Sequence, residues 1–237
     1  MKIDGHSHAC GKYLTPEGII NTLDENGVDK VVLVPGELHS KSEYSFPNIA
    51  SKFPNYNVVK LTNNLTKFIM KLTGKIKDIP AGNEFVYDLK TKSDNRVIQF
   101  LWVTTRIEKV TEYLNIKYND WAFHGVKMHQ CWERFSIDSD YFKEVAAWTE
   151  KQDLPLFIHL YSDNDVLRLI EYKKKHPKLK LIIAHLFGLE LFIEKFHNDE
   201  NLYFDSSPLP LVSNYRLKKA IDFVGVEKVL MGTDTPY

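Results

Sequence analysis

The chain alternates between short, mostly apolar runs and segments of helical periodicity, which confines it to an α/β fold. Eight runs read as strands: Lys2–His8, Lys30–Val34, Val97–Val103, Gly125–His129, Leu156–Leu160, Leu179–His185, Leu202–Asp205 and Lys228–Met231. Most are continuously apolar, as strands buried on both faces are. Between strands one and two, Thr15 reads as an N-cap and Pro16 as the first helical residue. Ile19, Ile20 and Leu23 give that helix one apolar face, and Gly27 closes it. Further helices are expected at about Tyr141–Lys151, at Val166–Lys175 before the breaker His176-Pro177, and at Arg216–Val224. Eight strands separated mainly by helices predict a parallel (β/α)8 TIM barrel. A doubly wound open sheet would be expected to carry a nucleotide fingerprint, and neither G-x-G-x-x-G nor G-x-x-x-x-G-K-[ST] occurs.

Two stretches depart from a minimal barrel. Residues 36–96, between strands two and three, far exceed a usual βα loop and read as an insertion capping the active site, with a helical pattern near Leu65–Leu72. After strand eight there is no obvious eighth helix. Repeats, low-complexity tracts and flexible linkers are absent, so residues 1–237 read as a single domain. Apolar surface beside strands one and eight would then need cover, and a homodimer is the expected solution.

Lys+Arg and Asp+Glu both number 31, which argues against a nucleic-acid partner. Lys173-Lys174-Lys175 is expected to be a solvated face near a helix end. No apolar run is long enough to span a membrane, and the chain begins directly with strand one. Cys10 and Cys131 read as free thiols in a reducing compartment, so a cytoplasmic location is expected.

The polar residues point to chemistry. His8, His129, His159, His185, Asp205 and Asp234 all fall at, or just beyond, the C-terminal ends of expected strands. That is the face on which barrel enzymes build their sites. A strand turns alternate side chains to one face, so His6 and His8 can converge on one point as half of a metal site.

Together, His6-Ser7-His8, Gly125-Val126-Lys127-Met128-His129, Phe157-Ile158-His159, Ile183-Ala184-His185 and Gly232-Thr233-Asp234-Thr235-Pro236-Tyr237 resemble the amidohydrolase-related (amidohydrolase 2) branch of the amidohydrolase superfamily. His176-Pro177 before strand six also fits. The resemblance implies a metal-dependent barrel enzyme, usually with one divalent ion, and zinc is the expected one. It implies His6, His8, His159 and Asp234 as metal ligands. Asp234 would also accept the proton of the attacking water, and His185 would hydrogen-bond the substrate carbonyl or the metal-bound water. Three imidazoles and a carboxylate suit Zn²⁺, which lowers the pKa of bound water from about 15.7 towards about 7. In binuclear superfamily members a carboxylated lysine on strand four bridges two metals, and Lys127 lies on that strand.

Arg106, Lys127 and His129 are the candidate substrate-binding residues. Arg106 could clamp a carboxylate or merely form a surface ion pair. Asp4 is a candidate partner for a ligand imidazole, and Trp102, Trp132 and Phe135 are candidates to line the pocket. His39 is a weaker candidate, while His124, His176 and His197 read as structural or exposed. The expected function is a metal-dependent hydrolase, with activated water attacking an amide, ester or lactone carbonyl of a small organic molecule. The alternatives are a non-oxidative decarboxylase of a small unsaturated or aromatic carboxylic acid, and a metal-free barrel acting as a binding protein.

Overall fold

The computed structural model describes residues 1–43, 45, 47–60, 63–64, 78–197 and 199–236. Eight parallel strands run in sequence order: β1 (Ile3–Ala9), β2 (Lys30–Pro35), β3 (Val97–Trp102), β4 (Gly125–His129), β5 (Leu156–His159), β6 (Leu181–Ile183), β7 (Leu202–Asp205) and β8 (Val229–Leu230). Each crossover carries a helix: α1 (Pro16–Glu25), α2 (Ile79–Lys92), α3 (Val110–Trp121), α4 (Asp140–Lys151), α5 (Asp163–Lys175), α6 (Leu189–Lys195) and α7 (Asn214–Val224). This is the expected (β/α)8 barrel. Its last seam closes through Gly5 N–H to the Met231 carbonyl at 2.8 Å, Asp234 N–H to the His6 carbonyl at 2.7 Å and His8 N–H to the Thr235 carbonyl at 3.0 Å. Close approach requires glycine here. A Cβ on Gly232 would lie 2.8 Å from the His6 nitrogen, and one on Gly5 would lie 2.9 Å from the Met231 carbonyl oxygen.

Strand alternation sorts the core into two layers. Leu101, Val103, Val126, Met128, Leu156, Ile158, Leu181 and Ile183 belong to an outer layer packed with the helices. Phe100, Trp102, Phe157, Ile182 and Ala184, their strand neighbours, fill the lumen. The same parity carries Lys127, His129 and His159 inward, so the barrel's own pleat delivers polar groups to its mouth. Burying each large lumen side chain contributes roughly 1.5–3 kcal/mol.

The local signals explain the ends of α1. Thr15 accepts from Gly18 N–H. Gly27 takes φ +60°. Gly27 and Val28 N–H groups bond back to Asp24 and Leu23 carbonyls, which is a Schellman ending. Three helices were not expected: α2, α3 and α6. Helix α2 corrects the insertion boundary, because it is the β2–β3 crossover helix and packs Val86 and Leu89 with Val31, Leu33 and Val97. The excursion therefore ends near Asp78, which caps α2 by accepting from Ala81 N–H. The expected helical pattern at Leu65–Leu72 lies outside the described residues.

Lys173 also departs from expectation. It is fully buried, with Nζ 2.6 Å from Asp199 and 2.8 Å from the Pro177 carbonyl. Among the described residues no helix is long and apolar enough to cross a membrane.

Candidate metal centre

The site is assembled at the C-terminal mouth of the barrel from β1 and the segment after β8. His6 and His8 are both buried. His6 Nδ1 lies 3.2 Å from Asp205 Oδ2 and 3.0 Å from Ser207 Oγ. His8 Nδ1 lies 2.7 Å from the Pro35 carbonyl. A carbonyl only accepts, so His8 carries its proton on Nδ1 and presents Nε2 as a lone pair. His6 has the same tautomer: the Asp205 carboxylate receives Nδ1–H, and Lys127 Nζ, a donor, sits 3.2 Å from Nε2.

Asp234 meets both rings. Its Oδ1 is 3.3 Å from His8 Nε2 and 3.7 Å from His6 Nε2. One ligand atom from each of the three residues lies within 4.8 Å of the others. An acceptor nitrogen facing a carboxylate oxygen at such distances is stable only with a proton or a metal cation shared between them. This buried N₂O set fits a divalent ion such as zinc. Burial would raise the Asp234 pKa, but the surrounding His6, His8 and His185 rings outweigh it and hold the carboxyl at about 2. Burial, helped by Lys127, pushes His6 well below the usual imidazole value, which keeps its lone pair available.

His159 and His185 form the other side. His185 sits in a left-handed turn after β6, with φ +57°, and Leu186 follows at +49°. The turn sends His185 Nδ1 to the Ser207 carbonyl at 2.5 Å and Nε2 to within 4.0 Å of Asp234 Oδ2. His159 turns Nδ1 to His185 Nε2 at 3.1 Å. Its Nε2 meets Asn63 Oδ1 at 2.9 Å. Burial, then the charges of His185 and Lys127, lower the His159 pKa well below its usual value. His129 stacks on His159 at 3.9 Å between ring centres and on Trp102 at 5.4 Å. Lys127 is fully buried, and its ammonium lies 3.8 Å above the Phe157 ring.

A cleft of about 450 Å³ opens beside this cluster, lined by Trp102, Trp132, Thr104, Arg106, Ile107 and Glu133, with Asp78, Ile79 and Pro80 from the start of α2. Trp102 joins the two, because its ring lies 6.1 Å from that of His8. Arg106 stands at the rim, its side chain 66% exposed and 3.6 Å from Glu133.

Some expected site residues lie elsewhere. Phe135 stacks on Phe142 rather than lining the cleft. Asp4 touches no imidazole. It accepts from Ser7, Tyr13 and the backbone and hydroxyl of Thr233, and so ties β1 to the segment after β8. His39 packs on Phe85, and His176 pairs with Glu150. His124 and His197 are exposed.

Three contributors were not singled out from the sequence. Asp205, in the sequence one polar strand end among several, anchors His6 and accepts from the His185 N–H at 3.3 Å. Ser207 donates to Asp205 at 2.7 Å. Asn63 comes from the excursion between β2 and β3. Only Asp205 left a readable signal, as a carboxylate ending an apolar strand.

The family model described as Amidohydrolase matches residues 80–237. The chain belongs to the amidohydrolase family. Solved amidohydrolase-like structures extend the likeness to the whole barrel of this family member. A 2,6-dihydroxybenzoate decarboxylase from Rhizobium is 16% identical, with a TM-score of 0.62 over 99% of this chain and 88% of that one. A 5-carboxyvanillate decarboxylase from Novosphingobium aromaticivorans, solved with manganese, is 12% identical, with a TM-score of 0.63 over 100% and 86%. A probable 2-pyrone-4,6-dicarboxylic acid hydrolase from Acinetobacter baumannii is 12% identical, with a TM-score of 0.63 over 99% and 84%. At these identities the likeness speaks for the fold. Among curated proteins, none matches this amidohydrolase.

Proposed function

We propose that this amidohydrolase is a metal-dependent hydrolase acting on an amide, ester or lactone carbonyl of a small organic molecule. The observation that carries the reading is the convergence of His6 Nε2, His8 Nε2 and Asp234 Oδ1 with both imidazole tautomers fixed from behind. His6, His8 and Asp234 would hold one divalent ion, zinc by preference, and His159, whose Nδ1 meets His185 Nε2, would supply the fourth donor. Such an ion supplies a Lewis acid and water acidified towards a pKa of about 7.

The chain's own residues do the rest. Asp234, kept ionised by its imidazole neighbours, accepts the proton of the attacking water. His185, its Nδ1 held by the Ser207 carbonyl, faces the site with Nε2 as an acceptor and orients the water. Trp102 and Trp132 wall the cleft with Arg106 at its rim, and Lys127, His129 and Arg106 would be the substrate contacts.

A second reading, non-oxidative decarboxylation, is favoured by the same cleft. Two tryptophans beside a rim arginine suit a planar carboxylic acid, the class of molecule named for two of the structural neighbours. Metal analysis tests the shared premise: wild type is expected to bind about one divalent ion per chain, and His6→Ala with His8→Ala to lose it. Equal metal in both proteins would overturn the site. Release of CO₂ in a substrate screen separates decarboxylation from hydrolysis.

A further inference from the structure

The excursion between β2 and β3 returns to the barrel mouth through Asn63. Its side chain is buried. Asn63 Nδ2 donates to the Leu160 carbonyl at 3.3 Å, which fixes which way the amide points. Oδ1 then faces His159 Nε2 at 2.9 Å. An amide oxygen accepts only, so this contact requires a proton on His159 Nε2. Its neighbours dock on the same loop: Lys60 Nζ lies 2.7 Å from Asp163, and Asn64 Oδ1 accepts from the Tyr161 hydroxyl at 3.0 Å.

We propose that Asn63 is a positioning residue, which locks His159 in the Nε2–H tautomer and so makes Nδ1 its donor atom towards the site. The neighbouring imidazoles His6, His8 and His185 have the opposite tautomer, each with Nδ1 held from behind. Asn63 therefore does for His159, from the excursion, what Asp205, Pro35 and Ser207 do for the others from the barrel. The competing form carries the proton on Nδ1 and donates it to the His185 Nε2 lone pair, 3.1 Å away; Asn63 opposes that bond, and without it that bond sets the tautomer. That form has no lone pair for a cation at the mouth. The step to metal binding rests on the metal-dependent reading above; the tautomer assignment does not.

The experiment records long-range ¹H–¹⁵N correlations of the histidine rings in metal-free protein, and then Zn²⁺ titrations by calorimetry. Wild type is expected to show His159 as Nε2–H. Asn63→Leu is expected to shift His159 towards Nδ1–H and weaken Zn²⁺ binding about 10- to 100-fold, the usual effect of losing such a support. Asn63→Asp keeps an acceptor opposite Nε2 and is expected to retain the Nε2–H form. His159 found as Nδ1–H in wild type, or unchanged in folded Asn63→Leu, would overturn the proposal. Should Asn63→Leu fail to fold, the wild-type and Asn63→Asp spectra decide, an Nδ1–H ring in either counting against it. Failure of the zinc arm alone, with the tautomers as expected, would count against the metal reading instead.

Discussion

Arg216→Met tests what holds His185 in its left-handed turn. Arg216 is fully buried on α7. Its Nη2 donates to the Leu186 carbonyl at 2.6 Å, and Nε and Nη2 form a two-point pair with Glu190 at 2.9 and 3.1 Å. Methionine preserves the stem and leaves little cavity. What is lost is the partner of a buried carbonyl, roughly 1–3 kcal/mol. The Glu190 pair adds little, because that side chain is 43% exposed and can rehydrate. Against this, removing a buried guanidinium is itself favourable, the more so as Nη1 has no partner among the described residues.

The net expectation is a loss of about 2 kcal/mol, weighted by the orphaned carbonyl, or about 4–8 °C in Tm for a chain of this size. The acid limb supplies a second check. Burial raises the Glu190 pKa, but the hydrogen bond and charge of Arg216 win and bring it below 4.5. Its contribution is therefore present above 4.5 and lost as pH falls through the folded value. The gap between wild type and Arg216→Met should be full at pH 7 and narrow below 4.5, because the part of it that comes from the Arg216 hold on Glu190 is lost as the carboxylate protonates. Urea unfolding at pH 7 and pH 4 measures both effects. An equally stable or more stable variant at pH 7 would refute the assignment of Arg216 as the brace of the turn.

Three further outcomes are expected. Asp234→Asn should retain bound metal better than it retains turnover, with kcat falling about 10²- to 10⁴-fold because an amide cannot take the proton; parallel metal analysis and kinetics separate the two. His185→Asn should lower kcat with metal content near wild type, and a variant stripped of metal would make His185 a ligand. Gly232→Ala should destabilise the barrel by about 1–3 kcal/mol and weaken metal binding, since the added Cβ would press on the His6 backbone; an unchanged urea midpoint would show that the seam has slack.

How much could be read from the sequence depended on how local each cause was. Strands β4 and β7 were legible to the residue, because each is a short apolar run bounded by polar groups. Helix α1 was legible at both ends through Thr15, Pro16 and Gly27. Helix α3 was not, because its N-cap position is Lys109, left-handed and with no side-chain cap, and so carries no start signal. Helix α6 is only seven residues long and follows a left-handed Gly188, too short for periodicity to mark. The start of α2 did carry a signal, Asp78 followed by Pro80, but it was absorbed into the long excursion. Lys173 looked like one of three solvated lysines because its partner Asp199 comes from the far side of the next crossover.

The same distinction runs through the site. The groups that would touch metal or substrate sit at strand ends, where a two-residue repeat places them, and strand parity alone brings His6, His8, Lys127 and His159 to one mouth. The groups that decide which nitrogen each imidazole offers are remote in sequence: Asp205 is 199 residues from His6, and Asn63 is 96 from His159. No periodicity links such pairs, and one of them joins through a carbonyl, at Pro35, that every residue type possesses. A sequence can therefore nominate ligands by pleat and motif, whereas their tautomers emerge only when the barrel closes. It follows that substitutions at Asp205, Ser207 and Asn63 should change what the centre binds without altering any residue that binds it.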